Sequence, residues 1–355
     1  MRLADLLSLA ICLSTATLAQ QHAPELTPGR EPIPNAQVFL STVNTPAGFP
    51  VRIFITRPKN AVGKVPVIFM VGWLSCDSVE APQGAMGDGF IQLLFDLASR
   101  SGFATYRMEK PGVGESGGPK CGDADFNTEL AAYRTAFASM KDIDFIDASR
   151  VYMLGLSNGG GFAPLVAGDS RVRGYMIFSG WYKTWLEHML EHERRRMALS
   201  GISQPEISSR MKKYAKFYDL YLNDRQTPRT IVAQHPEMKD IWYDEPERQY
   251  GRPAAFYQQL QQLNLAQAWQ SVSAPVLAVH GEYDWIMSGD DYKLLVAALN
   301  ARNPGSAQFT EWPRADHDLL THASAEKAFG SDPEKHYDPK LSEFVLGWLS
   351  QHERP

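Results

Sequence analysis

Arg150-Val151-Tyr152-Met153-Leu154-Gly155-Leu156-Ser157-Asn158-Gly159-Gly160-Gly161-Phe162 is the stretch on which the fold turns. Arg150–Leu154 reads as a short buried strand, and Asn158–Ala167 suits a helix. Between them lies Gly155-Leu156-Ser157-Asn158-Gly159, a Gly-x-Ser-x-Gly corner in a strand–turn–helix setting. A serine at such a corner takes a strained backbone that tips its hydroxyl out over the sheet edge. Glycines on either side remove the side chains that would collide where strand and helix crowd together. The helix directly behind offers free amides and a partial positive charge to any negative charge developing at the serine. The pattern also occurs as Gly114-Glu115-Ser116-Gly117-Gly118, after Pro111-Gly112 and with no strand or helix in place. A chance match somewhere in the chain has a probability of roughly 0.1, so setting rather than pattern selects Ser157 as the candidate nucleophile.

Outward from this corner, strand-like and helix-like segments alternate. Gln37–Asn44 and Val51–Arg57 form a hairpin about Pro46-Ala47-Gly48, and Val65–Val71 (VPVIFMV) is a continuous apolar run expected of a strand buried on both faces. A helix over Gly89–Arg100, a strand at Phe103–Met108 and a helix over Thr128–Lys141 precede the corner, and a strand at Gly174–Phe178 follows it. After a long intermission come the strand Pro275–His280, a helix near Asp290–Asn300, the strand Gln308–Trp312 and a closing helix at Pro339–Ser350. Such alternation implies βαβ units and a mostly parallel sheet, made mixed by the opening hairpin, with reactive groups at the carboxyl ends of the strands. The intermission, 181–270, has charged clusters, many aromatics and no β-rich run, and reads as a mainly helical insertion. Its cluster Glu191-His192-Glu193-Arg194-Arg195-Arg196 reads as a solvated helix face rather than a binding patch.

A serine hydroxyl needs a base to take its proton and an acid to orient that base. On an elbow of this kind the acid and then the base follow the serine in the chain. Asp284, in a loop after the strand that ends at His280, is the candidate acid, ahead of Glu282 and Asp290. His317, in Arg314-Ala315-Asp316-His317-Asp318 beyond the strand Gln308–Trp312, is the candidate base, with His322 its nearest rival. Two amides are needed for the oxyanion. One belongs to Asn158, directly after the nucleophile, and the other to Val71-Gly72-Trp73-Leu74, with Trp73 ahead of Leu74.

Composition narrows the remaining classes. The chain has 355 residues, 44% hydrophobic and 21% charged, which is ample for a large core. A formal charge of −5 leaves no basic excess for nucleic-acid binding. There is no paired CxxC for zinc, no heptad and no 20–50-residue repeat. Residues 1–19, with Arg2, the apolar run Leu6–Leu13 and small residues up to Ala19, read as a secretory signal peptide too short for a membrane span. Residues 20–36, rich in proline, read as an extended lead-in. Cleavage near Ala19 removes Cys12 and leaves Cys76 and Cys121, which in a periplasmic or secreted protein suggest one disulfide, two separate buried thiols being the alternative. A bond closing that loop would stabilise by about 4 kcal/mol on the chain-entropy model.

With these residues in place the chain resembles the α/β-hydrolase superfamily. Met108-Glu109-Lys110-Pro111-Gly112-Val113-Gly114-Glu115-Ser116 is similar to that superfamily's loop after the fourth strand, where Gly-x-Gly-x-Ser is a structural turn, so the resemblance gives Ser116 a structural role. It departs at Val71-Gly72, where His-Gly is common, and at Glu109-Lys110, where related loops often carry Asp and Arg. The resemblance implies a core over 37–180 and 271–355 and places the insertion 181–270 where relatives carry a cap. It also brings the loops holding Cys76 and Cys121 to one sheet edge, which supports the disulfide.

The function expected is a cofactor-free serine hydrolase acting on a carboxylic ester of a small-molecule acyl substrate, without metal, nucleic acid or stable membrane anchor. Trp181, Tyr182 and Trp185, directly after a strand, are expected to line its pocket, ordinary packing between the insertion and the core being the alternative. Other readings with the same residues are an exopeptidase or amidase, in which Glu187 or Glu191 holds a substrate amine, and an acyltransferase. A non-catalytic binding module on the same fold is a further alternative.

Overall fold

Val65–Val71 has every residue buried, yet its side chains still alternate between two cores. Val67, Phe69 and Val71 point into one cluster, and Ile68 and Met70 into the other, as the two-residue period of a strand requires. A computed structural model describes residues 24–80 and 88–353. The signal peptide expected over 1–19, with Cys12, lies outside the described residues.

The main sheet contains β1 (Ala36–Asn44), β2 (Pro50–Pro58), β3 (Val65–Val71), β4 (Ala104–Met108), β5 (Ile146–Leu156), β6 (Gly174–Phe178), β7 (Val276–Gly281) and β8 (Ala307–Trp312). Their spatial order is 1-2-4-3-5-6-7-8, and the two-residue strand Thr27–Pro28 extends the β1 edge. β1, β2 and β4 pair antiparallel, whereas every junction from β4 through β3 to β8 is parallel. On one face lie α1 (Gly89–Arg100) and, from the far end of the chain, Leu341, Val345, Trp348 and Leu349. The other face carries α2 (Phe126–Ser139) and α3 (Asn158–Ala167). This is the α/β-hydrolase arrangement, a mostly parallel mixed sheet flanked by helices.

Between β6 and β7 the chain forms helices, α4 (Trp185–Leu199), α5 (Gln204–Tyr218), α6 (Pro228–Gln234), α7 (Ala254–Gln261) and α8 (Leu265–Gln270), with a two-residue ladder at Arg248–Gln249 and Arg252–Pro253. A capping box of Thr184 and Glu187 starts α4. The reading of 191–196 as a solvated face is corrected here: His192 and Glu193 are buried, and Arg194 alone of the six is exposed. Glu193 accepts from Arg196 and from the hydroxyls of Tyr218 and Tyr243, so tertiary partners, invisible in the local pattern, draw the charges inward.

Most element boundaries shift by a residue or two from expectation, and two of the shifts have a visible cause. β5 starts at Ile146, not Arg150, because Ile146 pairs with Val65 before an irregularity shifts the register to Val67–Val151. Asp125 caps α2 through the Thr128 amide and starts that helix at Phe126. The chain closes with α9 (Gly289–Arg302), α10 (Ala325–Phe329) and α11 (Pro339–His352).

Candidate active site

Ser157 stands between β5 and α3 with φ 53° and ψ −123°, a left-handed backbone unusual for a residue with a Cβ. Its amide donates to the Phe178 carbonyl at 2.9 Å, tying the turn to β6. The glycine requirement is steric. A Cβ on Gly159 would lie 2.2 Å from the Val71 carbonyl oxygen, and one on Gly155 would lie 2.8 Å from the Gly160 Cα.

The loops after β7 and β8 bring Asp284 and His317 to this corner. His317 Nε2 lies 2.8 Å from Ser157 Oγ, and Nδ1 lies 3.0 Å from Asp284 Oδ2. With its proton on Nδ1 and donated to Asp284, the imidazole accepts from the serine hydroxyl through Nε2. Asp284 is itself held: its Oδ1 accepts from the amides of Ile286 and Met287, both at 2.9 Å. Burial alone would raise its pKa, but His317 and these bonds keep it below the ordinary carboxylate value. For His317 burial favours the neutral ring, yet the Asp284 carboxylate outweighs it and lifts the imidazole to about 9.

The rival residues have other partners. Glu282 accepts from the Arg314 amide at 2.7 Å and braces the His317 loop. Asp290 is exposed in the first turn of α9 and pairs with Lys293. His322 is buried between Asp316, at 2.7 Å, and Asp332, at 3.1 Å. Ser116 accepts from the Arg52 amide at 2.8 Å and donates to the Glu109 carbonyl, so its hydroxyl fastens two loops together.

The loop after β3 approaches Ser157 from the other side. The Gly72 carbonyl accepts from the Gly159 amide at 3.1 Å, and the Gly72 amide donates to the Tyr133 hydroxyl at 3.0 Å. The peptide joining Gly72 to Trp73 is thus clamped through its carbonyl, which leaves the Trp73 amide uncommitted among the described residues; the Asn158 amide, at the start of α3, is equally free of a described acceptor. Two sequence departures prove to be fastenings. The Lys110 ammonium, buried, donates to the Trp73 carbonyl and, at 2.5 Å, to the Ser75 carbonyl. Glu109 accepts from the Val79 amide at 3.1 Å and from Arg52. A disulfide joins Cys76 to Cys121, with Cα atoms 5.8 Å apart, and the Arg252 guanidinium donates to the Cys121 carbonyl at 2.7 Å.

Ser157, Asn158, Trp73 and His317 border one cavity of about 860 Å³, within the range of small-ligand sites. Of the three aromatics expected there, Trp185 lines it. Trp181 and Tyr182 do not, which corrects that expectation. Trp181 is buried against Gly161 and donates to the Asn158 carbonyl, while Tyr182 borders a separate hollow beside Trp269. Glu187 is spent on the α4 cap and Glu191 on Lys183, so neither is placed to hold a substrate amine in this cavity. Sequence reasoning missed His188, His192 and Arg196, which line the cavity from α4. Their spacing of four was the available signal, since it puts all three on one helix face. Among the described residues no cluster of three or more His, Cys, Asp or Glu side chains is arranged to hold a metal ion.

Comparison with known proteins places these features in a family. The family model described as serine aminopeptidase, S33, matches residues 88–323. No match was found among curated proteins. Among solved structures the chain is similar to a hypothetical protein of Pseudomonas aeruginosa, with TM-score 0.55 and 16% identity over 92% of this chain and 99% of that one. It is similar to Est1E of Butyrivibrio proteoclasticus, with TM-score 0.53 and 16% identity over 88% and 98%. It is also similar to acetyl xylan esterase 1 of Thermoanaerobacterium sp., with TM-score 0.51 and 14% identity over 93% and 88%. At these identities the likeness is one of fold.

Proposed function

The chain belongs to the serine aminopeptidase S33 family of serine hydrolases, and we propose that it hydrolyses a carboxylic ester through an acyl-enzyme on Ser157. The observation that carries this reading is a single imidazole bridging the serine hydroxyl at 2.8 Å and a buried carboxylate at 3.0 Å. In the acylation step Ser157 Oγ bonds to the ester carbonyl carbon while His317 Nε2 takes the hydroxyl proton. The carbonyl electron pair moves onto oxygen, where the Trp73 and Asn158 amides receive it. As the tetrahedral centre collapses, the C–O bond to the alcohol breaks and His317 returns the proton to the departing oxygen. Water then repeats the sequence against the acyl-enzyme, releasing the acid and restoring the serine. Asp284 keeps the imidazole in the required tautomer and offsets its transient charge.

Supporting the ester rather than the amide are the named esterases among proteins of similar fold and the absence of Glu187 and Glu191 from the cavity. The aminopeptidase reading is favoured by the family description and by Asp318, which lines the cavity without a hydrogen-bonded partner among the described residues. A fluorophosphonate should label wild-type protein at Ser157, and nitrophenyl esters should turn over at least a hundredfold faster than aminoacyl anilides. Anilide-only turnover would replace the ester reading with the peptidase one, and an unlabelled Ser157 in folded protein would remove both.

In this reading 37–180 and 271–355 form the core, and 181–270 caps the cavity and shapes it. The chain is proposed to be exported, with cleavage near Ala19. That location is compatible with the Cys76–Cys121 disulfide. Among the described residues no helix is long and apolar enough to cross a membrane.

A further inference from the structure

Among the described residues six aromatic side chains border the cavity beside Ser157: Trp73, Phe90, Trp185, Tyr243, Tyr250 and Trp285. Trp73 stacks on Phe90 with centroids 6.2 Å apart and planes 7° apart, and Trp285 stacks on the His192 ring at 5.4 Å and 29°. Flat π faces contributed by α1, α4 and the loops after β3 and β7 favour a planar ring, which gains from stacked or edge-on contact beyond simple burial.

The electrostatics of the same wall select against anions. Among the described residues Arg196 is the one arginine or lysine that borders the cavity, and it is committed to Glu193 at 2.8 Å and to the Tyr214 hydroxyl at 3.0 Å. Four carboxylates, Asp77, Glu80, Asp88 and Asp318, line the cavity too, so a negatively charged ligand meets like charge and no free counter-ion. Three of the four are already engaged: Asp77 with the Ser75 hydroxyl, Glu80 with Arg52 and Asp88 with the amides of Phe90 and Ile91.

The wall also holds an unpartnered imidazole. His188, on α4, is 4% exposed, packs at 4.6 Å on the Trp185 ring and borders the cavity together with Ser157 and His317. Its ring nitrogens bond to no described group, whereas the neighbouring Glu193, Tyr243, Tyr250 and His192 Nε2 are linked by contacts of 2.8, 2.8 and 3.3 Å, with His192 Nδ1 left without a described partner. Buried polar groups are normally paired, so an unpartnered imidazole facing a cavity is poised for a ligand. Burial, reinforced by His192 and Arg195, holds this ring well below the ordinary histidine pKa. The neutral ring offers one donor and one acceptor, which matches a hydroxyl.

We propose that His188 is the specificity-determining residue of the cavity and that the preferred substrates are uncharged esters bearing a hydroxylated aromatic ring, the ring held by the aromatic walls and its hydroxyl bonded to His188. The word ester rests on the function proposed above, whereas the ring and its hydroxyl rest on the cavity alone. A site built around one such hydrogen bond discriminates against the analogue lacking it, because the buried partner is then left unpaired.

Calorimetric titration separates the two readings, since it needs no turnover. Full-length Ser157→Ala protein is titrated with methyl phenylacetate and with its 2-, 3- and 4-hydroxy isomers, and with a peracetylated xylose. At least one hydroxy isomer should bind tenfold or more tightly than the parent ester, and adding His188→Leu should bring that ratio within twofold. His188→Gln, which keeps a donor and an acceptor, should retain part of the ratio and decides the matter if the leucine variant does not fold. Equal binding of all four aryl esters, a ratio that survives His188→Leu, or tighter binding of the acetylated sugar would each overturn the proposal. A hydroxyl preference without Ser157-dependent turnover would instead leave the cavity reading standing and remove the acyl-enzyme.

Discussion

Ser157 keeps a left-handed backbone at φ 53°, a conformation that costs on the order of 1–3 kcal/mol and persists only where surrounding structure over-determines it. Here Gly155 and Gly159 make the crossing possible, and the Phe178 carbonyl holds the turn. Ser116, the other serine in the same pentapeptide pattern, spends its hydroxyl on the Arg52 amide and the Glu109 carbonyl. Ser157→Ala is therefore expected to lower ester kcat by on the order of 10⁶, and Ser116→Ala to leave it within a few-fold while costing about 1 kcal/mol of stability. Steady-state kinetics with urea unfolding checks both, and the reverse ranking would refute the assignment. The base titrates in a measurable range. His317 acts when deprotonated, and Asp284 lifts its pKa to about 9, so kcat/KM should rise from neutral pH towards a midpoint near 9 and fall away as the ring is protonated below it. Asp284→Asn removes the strongest charge that holds the proton and leaves burial, which favours the neutral ring, opposed only by the more weakly acting Asp318 and Asp316. The midpoint should then drop below that of the wild type, while the rate at the plateau falls by about 10⁴ through loss of the tautomer. An unshifted midpoint would show that another group titrates.

At the scale of elements, the loop after β3 is held by three residues of the segment between β4 and α2. Lys110 grips its carbonyls, Glu109 the Val79 amide, and Cys121 the sulfur of Cys76. Burial, with Arg252 nearby, draws the Lys110 ammonium down to about 8 despite Glu129. Lys110→Met should leave Glu129 paired with Arg252, release the Trp73 and Ser75 carbonyls so that the loop beyond the Trp73 amide loosens, and reduce kcat by up to about 10²-fold, with KM changed less than threefold. A loss confined to KM would mean that the lysine shapes the cavity rather than the oxyanion donor. Most strands and helices of the core were legible because their signals are local: β3, α1 and α3 coincide with the segments read from the sequence. The start of β5 was not, since its first pairing is with Val65, far off in the chain. The face of α4 was misjudged for the same reason. Its charges look solvated until Tyr218 and Tyr243 are brought against Glu193.

Over the whole molecule, buried ion pairs join parts that are remote in sequence. Arg107, next to the end of β4, meets Glu31 of the N-terminal lead-in, and both are nearly inaccessible. Arg252 ties the helical segment between β6 and β7 to Glu129 of α2. Removing one partner strands a buried charge, so Arg107→Leu should destabilise the protein by about 3–5 kcal/mol. Chemical denaturation gives the number, and a change under 1 kcal/mol would mean that the lead-in is not part of the cooperative unit. The sequence by itself determined the alternation of the core, the bend at Ser157 and the order in which Asp284 and His317 follow it, because these depend on side-chain period, local sterics and chain direction. Only the tertiary structure decided that Trp185 rather than Trp181 or Tyr182 faces the cavity, that His188 lacks a partner and that Lys110 holds the Trp73 loop. Those facts are set by contacts between segments far apart in the chain, and no local pattern encodes which distant group a side chain will meet.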